Sequence, residues 1–228
     1  MTMLGSTLRR PITPPSLAPD RAAIDRFLAH CHRRRYPSRA DVFRPGDPAG
    51  TMYYIISGSL SAMVEEEDGR ELVLGYFNAG DFVGETGIFV SAPHREVVMR
   101  TRTASELAEI GVERLHALFS GPLAEDCPKI LFAIGQQLTK RLLHTSRKAS
   151  RLAFMDVTSR ITNTLADLCQ EPDAMSHPKG TQIRVSRQEL ARIVGCSREM
   201  AGRVLKQLEE EGALEAHGKT VVVYHSRG

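Results

Sequence analysis

The 228-residue chain has no run approaching the roughly 18 uninterrupted apolar residues that a membrane-spanning helix needs. Its opening segment, MTMLGSTLRRPITPPS, lacks the apolar core of a signal peptide, so the expectation is a cytoplasmic protein with no membrane association. Cysteine is scarce and dispersed. Cys31, Cys127, Cys169 and Cys196 form neither a CxxC pair nor a metal knuckle, which leaves reduced, half-buried thiols as the expected state. Histidine is scarce where a metalloenzyme would need it. Between Ser38 and Ile110 only His94 is present, while His30 and His32 sit two apart on an expected helix and point to different faces. The N-terminal arm has no cysteine, which argues against an iron–sulfur sensor. Neither a metal site nor catalysis is therefore expected. There is also no large charge excess: a net +3 is too small to argue for a nucleic-acid partner, so the distribution of charge has to carry that argument.

A hydrophobic share of 42% and a charged share of 25% suit two small domains, each burying its own core. Residues 1–20, with four prolines, read as a mobile arm. From Ala22 to His32 a short amphipathic helix is predicted by Ile24, Phe27 and Leu28. From Ser38 to Ile110 the text turns to short β-type runs punctuated by Gly46, Gly58, Gly75, Gly80, Gly84 and Gly87. Asp68-Gly69 between two alternating runs is a hairpin signal. Residues 21–127 thus read as a compact barrel or roll.

The period changes after Gly111. From Pro128 to Ser150 a long helix is predicted, with Leu131, Ile134, Leu138 and Leu142 spaced by three and four residues. So narrow a seam points to a helix that pairs with a copy of itself, over residues 128–153. Packing of one face on its own domain is the alternative. Beyond Leu138 the seam turns polar at Arg141 and Thr145, with Ser146 beside them, so a ligand or a cross-dimer network is expected there. A second helix from Asp156 to Leu168 and a polar loop, EPDAMSHPKGTQ, open the last unit, residues 154–228.

The stretch VSRQELARIVGCSREMAGRVLKQLEEEG is the most informative in the chain. Ser186 and Glu189 have the spacing of a capping box, Leu190, Ala191, Ile193 and Val194 give an apolar face, and Gly195 ends the helix. Ser197 caps a second helix two residues later. So short a connection, with small Ala191 and Ala201 where backbones approach, is the helix-turn-helix pattern. Arg198, Glu199 and Arg203 fall in the first two turns of the second helix, where Arg suits guanine O6 and N7 and Glu suits cytosine N4. After Gly212, LEAH, GKT and VVVYH read as a hairpin wing with His217, Gly218 and Lys219 at its tip, Lys219 being suited to a phosphate. Two ordinary core helices with a solvated charged face are the bland alternative.

These residues carry a resemblance. HCHRRRYPS, YYIISGS, GDFVGE, LAFMDVTSRI, SRQELARIVGCSREMAGRVL and HGKTVVVY resemble the cyclic AMP receptor protein / fumarate-nitrate regulator family over nearly the whole length from His30, and within it the branch of CAP-like proteins. The resemblance implies an α+β chain with a cyclic-nucleotide-binding-like β-roll, a long dimerisation helix and a C-terminal winged helix-turn-helix. It implies a homodimeric regulator of transcription that binds double-stranded DNA, with Arg187 and Gln188 adding backbone contacts, and RNA polymerase contacts at His32, Arg34 and Arg114 and at Ser176, His177 and Lys179. A nucleotide-binding module that docks on another protein would have no use for the helix-turn-helix.

The segment GDFVGETGIFVSAPHREVVMRTR resembles the phosphate-binding cassette of that family. By resemblance Gly84 and Glu85 match the ribose-holding positions, Arg95 the phosphate-holding arginine, and Arg141, Thr145 and Ser146 the residues that meet the base, partly across the dimer. Glu96 departs from the pattern, because cyclic AMP binders have a small hydroxyl there. Two like charges about 4 Å apart repel by roughly 4 kcal/mol at an effective dielectric near 20, an upper figure, which disfavours cyclic AMP. A carboxylate is the natural acceptor for the paired N1 and N2 donors of guanine. The branch resemblance implies cyclic di-GMP as effector, with loss of DNA binding as the response. Cyclic AMP and a pocket locked by an Arg95–Glu96 ion pair stay open as alternatives.

Overall fold

The computed structural model describes residues 20–66, 71–90, 93–171 and 173–224. The N-terminal arm up to residue 19 and the Asp68-Gly69 turn lie outside the described residues.

Helix α1 (Arg21–Leu28) starts where Asp20 accepts a bond from the Ala23 amide and buries Ile24 and Phe27. It is shorter than its sequence predicts. The apolar spacing ends at Leu28, and His32 already belongs to strand β1 (His32–Tyr36), because pairing with a distant strand outweighs helix propensity there. The expected placement of His30 and His32 on one helix is therefore corrected. Strands β2 (Asp41–Phe43), β3 (Thr51–Ser57), β4 (Ser59–Glu65), β5 (Glu71–Asn78) and β6 (Phe82–Val83), the short helix α2 (Thr86–Phe89), and strands β7 (Val98–Thr101) and β8 (Ser105–Gly111) complete the roll. They form two antiparallel four-stranded sheets, ordered β1-β8-β3-β6 and β2-β7-β4-β5. Phe43, Tyr53, Ile55, Leu60, Val83 and Leu107 fill one core cluster of this roll.

Helix α3 (Val112–Phe119) and the long helix α4 (Cys127–Phe154) close the roll from one side. Phe27 of α1, Met52 and Phe82 of the sheet, Leu115 and Leu118 of α3, and Ile130, Ala133 and Ile134 of α4 share a second buried cluster. Asp126, at the N-cap of α4, is held by both arms of the Arg26 fork at 2.6 Å, which also places a carboxylate at the positive end of a 28-residue helix.

Helix α5 (Val157–Leu168), capped by Asp156, leads to strands β9 (Met175–His177) and β10 (Gly180–Arg184). The segment read from sequence as a polar loop is thus a hairpin. Its short strands carry no apolar alternation, and they exist because β10 pairs on its other side with a strand about forty residues away in sequence, in the sheet β11-β12-β10-β9. Helices α6 (Arg187–Val194) and α7 (Arg198–Glu210) and strands β11 (Leu214–His217) and β12 (Thr220–Tyr224) complete the unit. Its separate core joins Ile161, Leu165, Ile183, Leu190, Ala191, Ala201, Leu205, Leu214 and Val221. No helix of the described residues is long and apolar enough to cross a membrane. All four cysteines are free and half-buried, and burial pushes the Cys31 thiol up to about 12.

Candidate functional site

A cleft of about 1580 Å³ runs from the roll along α4 to α5 and α6. Its head is built by two loops. The backbone of residues 46–49 bonds that of residues 93–95, with Arg95 N to Asp47 O at 2.8 Å and Gly46 N to Arg95 O at 2.9 Å, and this fixes where Arg95 projects. Its side chain donates to Gly84 O at 3.3 Å and to Thr51 O, and its guanidinium stacks 4.3 Å from the Phe43 ring. Gly84, at φ +76°, is required to be glycine, since a Cβ there would meet the Arg95 guanidinium and Thr51 O at 2.9 Å. Arg95 is only 7% exposed, and among the described residues no carboxylate pairs with it and its Nε has no hydrogen-bond partner. Burial holds its pKa below the usual guanidinium value. A buried cation left in this state suits an anionic ligand.

Glu85 is also 7% exposed, but it is engaged: Arg141 of α4 donates to it at 2.6 Å. The same guanidinium reaches Phe82 O and stacks 4.6 Å from the Phe77 ring. Gln137, one turn earlier, accepts from the Phe82 amide at 2.8 Å and donates to Gly80 O at 2.9 Å, stapling α4 to the strand that carries the cassette. Glu96 is exposed and lines the cleft. No ion pair joins it to Arg95, so the locked-pocket alternative is corrected: Arg95 turns inward to backbone carbonyls while its neighbour faces the opening.

Of the expected effector residues, Gly84, Glu85, Arg95, Glu96, Arg141 and Thr145 line this one cleft. Ser146 does not. It lies a turn beyond Leu142 on the exposed side of α4, where 3.6 residues per turn carry it away from Arg141. The sequence reading missed Gln137 and the lower half of the cleft, where Lys148, Arg151, Arg160 and Asp167 also line the wall. Arg141, His144, Lys148 and Arg151 recur at spacings of three and four, a basic stripe that could have found it. Burial lowers the Lys148 pKa to about 8, and its ammonium donates to Val73 O on β5.

The expected seam of α4 divides in part. Ile134 is buried inside its own roll, whereas Leu131, on the cleft, and Leu138, against the same cluster, are half-buried and share a helical side with the exposed Leu142. The face α4 leaves open holds Phe132, Leu142 and Leu143, exposed by 42%, 67% and 55%.

The helix-turn-helix forms in register. Ser186 accepts from Glu189 N and Ser197 from Met200 N, both at 3.1 Å, and Gly195 makes the turn at φ +72°. Only half of the capping box closes, because the Glu189 side chain leaves its helix and accepts from Tyr76 Oη at 3.2 Å. Arg187, Gln188, Ser197, Arg198, Glu199 and Arg203 are all exposed. The helix N-terminus and the Ser197 hydroxyl hold the Glu199 carboxyl below its usual range, its own backbone amide contributing most. His217 and Lys219 sit exposed at the wing tip, His217 Nε2 lying 2.9 Å from Glu215. Glu215 also accepts from Lys179 at 3.1 Å and Tyr224 at 3.0 Å, and these bonds bring its carboxyl down to about 2. His32, Arg34 and Arg114 on the roll and Ser176 on β9 are exposed, and His177 is half-buried.

Comparison with known proteins follows the same division. The family described as cyclic nucleotide-binding domain matches residues 33–121, and that of bacterial regulatory proteins, crp family, matches residues 183–214. The chain is 66% identical over 226 residues to the CRP-like protein Clp of Xanthomonas euvesicatoria pv. vesicatoria, across 99% of this chain and 97% of that protein. The CRP-like protein Clp of Xanthomonas campestris pv. campestris strain B100 matches to the same extent. Among solved structures, the c-di-GMP responsive global regulator CLP of Xanthomonas campestris is similar with a TM-score of 0.87 and 68% identity, over 91% of this chain and all of that one. A CRP/FNR family transcriptional regulator of Thermus thermophilus shares the fold at 22% identity, with a TM-score of 0.71 over 85% of this chain and 94% of that one.

Proposed function

The chain belongs to the CRP/FNR family of bacterial transcription regulators, in the branch of the CRP-like protein Clp, and from that premise we propose that it acts in the cytoplasm as a homodimer that binds a two-fold DNA site and leaves it when cyclic di-GMP enters the cleft. The observation that carries the effector reading is the head of the cleft, where a buried Arg95 lies next in sequence to an exposed Glu96, neither of them in an ion pair among the described residues. Arg95 supplies a phosphate partner, and Glu96 supplies an acceptor for a guanine edge. A cyclic mononucleotide offers the arginine a phosphate but brings its own charge toward the carboxylate. The cleft volume also exceeds the usual span of small-ligand pockets, about 300–1,000 Å³, and so suits a ligand with two bases. The similarity to a c-di-GMP responsive regulator supports the same choice.

In this proposal Arg198, Glu199 and Arg203 read base edges, while Arg187, Gln188, Ser197, His217 and Lys219 hold the sugar-phosphate backbone. The open apolar face of α4, with Phe132, Leu142 and Leu143, meets its symmetry mate and brings two recognition helices to one site. His32, Arg34, Arg114, Ser176, His177 and Lys179 face RNA polymerase. The roll performs no catalysis.

Titration calorimetry with cyclic di-GMP and cyclic AMP on the wild type and on Glu96→Ser tests the effector assignment. Charge-assisted hydrogen bonds contribute about 1.5–3 kcal/mol each, so Glu96→Ser is expected to lose roughly tenfold or more in cyclic di-GMP affinity. The same change removes the repulsion felt by cyclic AMP, whose affinity is expected to rise. Unchanged cyclic di-GMP binding would remove Glu96 from the site and reject the assignment.

A further inference from the structure

Strand β5 is one of the two edges of its sheet, paired among the described residues only with β4 on one side. An edge strand needs a cover. Lys148 of α4 caps one of its carbonyls, at Val73, and the first helix of the helix-turn-helix lies against it. Two polar clusters, among the described residues, join that helix to the roll. Glu71, 10% exposed at its side chain, lies 2.5 Å from Arg192 Nε in an ion pair whose two atoms make no hydrogen bond, and 3.6 Å from Arg100, which Asp41 holds in turn. Glu189 accepts from Tyr76 at 3.2 Å and lies 3.6 Å from Arg102, whose guanidinium stacks 4.0 Å from the Tyr76 ring and is 4.0 Å from Asp173.

The polarity of the two contacts is crossed. The roll offers an acid to the base of α6 and a base to its acid, three residues apart on one helical face. A displacement of α6 that brought Arg192 toward Arg102, or Glu189 toward Glu71, would set like charges together, so the pattern selects one orientation. In that orientation Arg187, Gln188, Arg198, Glu199 and Arg203 stay exposed. Residues of the same two elements, Val73, Leu74 and Tyr76 of β5 with Ile193 and Val194 of α6, line the cleft.

We propose that the Glu71–Arg192 and Arg102–Glu189 contacts are a latch that positions the helix-turn-helix for DNA, and that filling the cleft acts on DNA binding by opening it. The second half rests on the proposed effector function; the first does not. A ligand wedged between β5 and α6 favours the unlatched arrangement only by its differential affinity for it, so the factor by which the latch is weakened is divided between lost DNA affinity and gained ligand affinity, the two changes multiplying to that factor.

Glu71→Gln and Arg192→Gln, singly and together, test this in the full-length chain. Each single variant is expected to lose DNA affinity without nucleotide and to gain cyclic di-GMP affinity, the two changes multiplying to about five- to tenfold. The double variant should be no worse than either single, since both remove one interaction. Hydrogen exchange at the α6 and β5 amides, which needs neither DNA nor nucleotide, should quicken in both singles while the core of the roll stays protected. Unchanged exchange, raised DNA affinity, no change in either affinity, or additive effects in the double variant would overturn the latch. A wild type that ignores cyclic di-GMP would instead reject the effector reading, and the exchange and DNA measurements would still decide the latch.

Discussion

The cleft and the DNA-facing surface use the same chemistry, arginine and glutamate, in opposite ways. In the cleft Arg95 and Glu85 are each 7% exposed and are held by backbone carbonyls, by aromatic rings or by each other's neighbours, as Glu85 is by Arg141. On α7, Arg198, Glu199 and Arg203 stand in solvent. A buried charge is costly to desolvate, so the protein has already organised it, and a ligand that meets it must displace or share existing bonds. An exposed charge costs nothing to keep and is desolvated only when the groove arrives. A ligand in the cleft therefore acts on internal bonds that hold the fold together, and this suits the cleft to sensing. The outer face can change without disturbing the rest, and this suits it to reading sequence.

The sharpest break of that comparison comes from removing the second copy of the reading face. Leu142 is 67% exposed, so Leu142→Asp should leave the monomer folded while burying an unpaired charge against the symmetry mate. The expected result is a monomer in sedimentation with about a hundredfold or greater loss on a two-fold site, because the second half-site no longer binds at high effective concentration. A stable dimer would move the interface elsewhere. Leu138 is a poorer choice than its spacing suggests, since a charge there would also strike the core of its own roll.

At the reading face itself, Arg198→Ala is expected to weaken the preferred site by about 1–3 kcal/mol and flatten discrimination at one base pair, with the melting temperature unchanged because the side chain is exposed. Lys219→Ala should instead weaken all sequences alike and reduce the salt slope by about one. Binding measured on a panel of single-base variants at several salt concentrations separates the two. An intact preference in Arg198→Ala would mean that another side chain reads that base.

The smallest effect is expected at Lys148, on the buried side of the comparison. Its pKa falls from the ordinary lysine value to about 8 through burial. Below about pH 8 the ammonium is charged in both the folded and the unfolded chain, and the folded state bears the full desolvation penalty. As pH rises past 8 the folded chain releases its proton before the unfolded one does, and the penalty disappears. Lys148→Met is therefore expected to be more stable than the wild type at pH 7, by about 1 kcal/mol after allowing for partial solvent contact, with the difference closing as pH approaches the ordinary lysine value. Denaturant titrations at pH 7 and at pH 9.5 check this. A constant difference would mean that Lys148 is solvated.

Local patterns determined a good deal of this protein. The capping serines Ser186 and Ser197, the left-handed Gly195 between them and the small Ala191 and Ala201 are short-range requirements of two closely joined helices, and they are readable because each depends only on residues a turn away. The position of Arg95 in its cassette and the departure at Glu96 were legible only through the family resemblance. What the tertiary structure decided depends on partners distant in sequence. His32 became a strand because β8 was available, and residues 175–177 became one because β12 anchors β10. Glu189 left its capping box for Tyr76, more than a hundred positions away, and the spacing of α4 took Ile134 into the core of its own roll while leaving Leu142 exposed. Periodicity tells which residues share a face, but which surface that face meets is set by burial and charge pairing across the whole molecule.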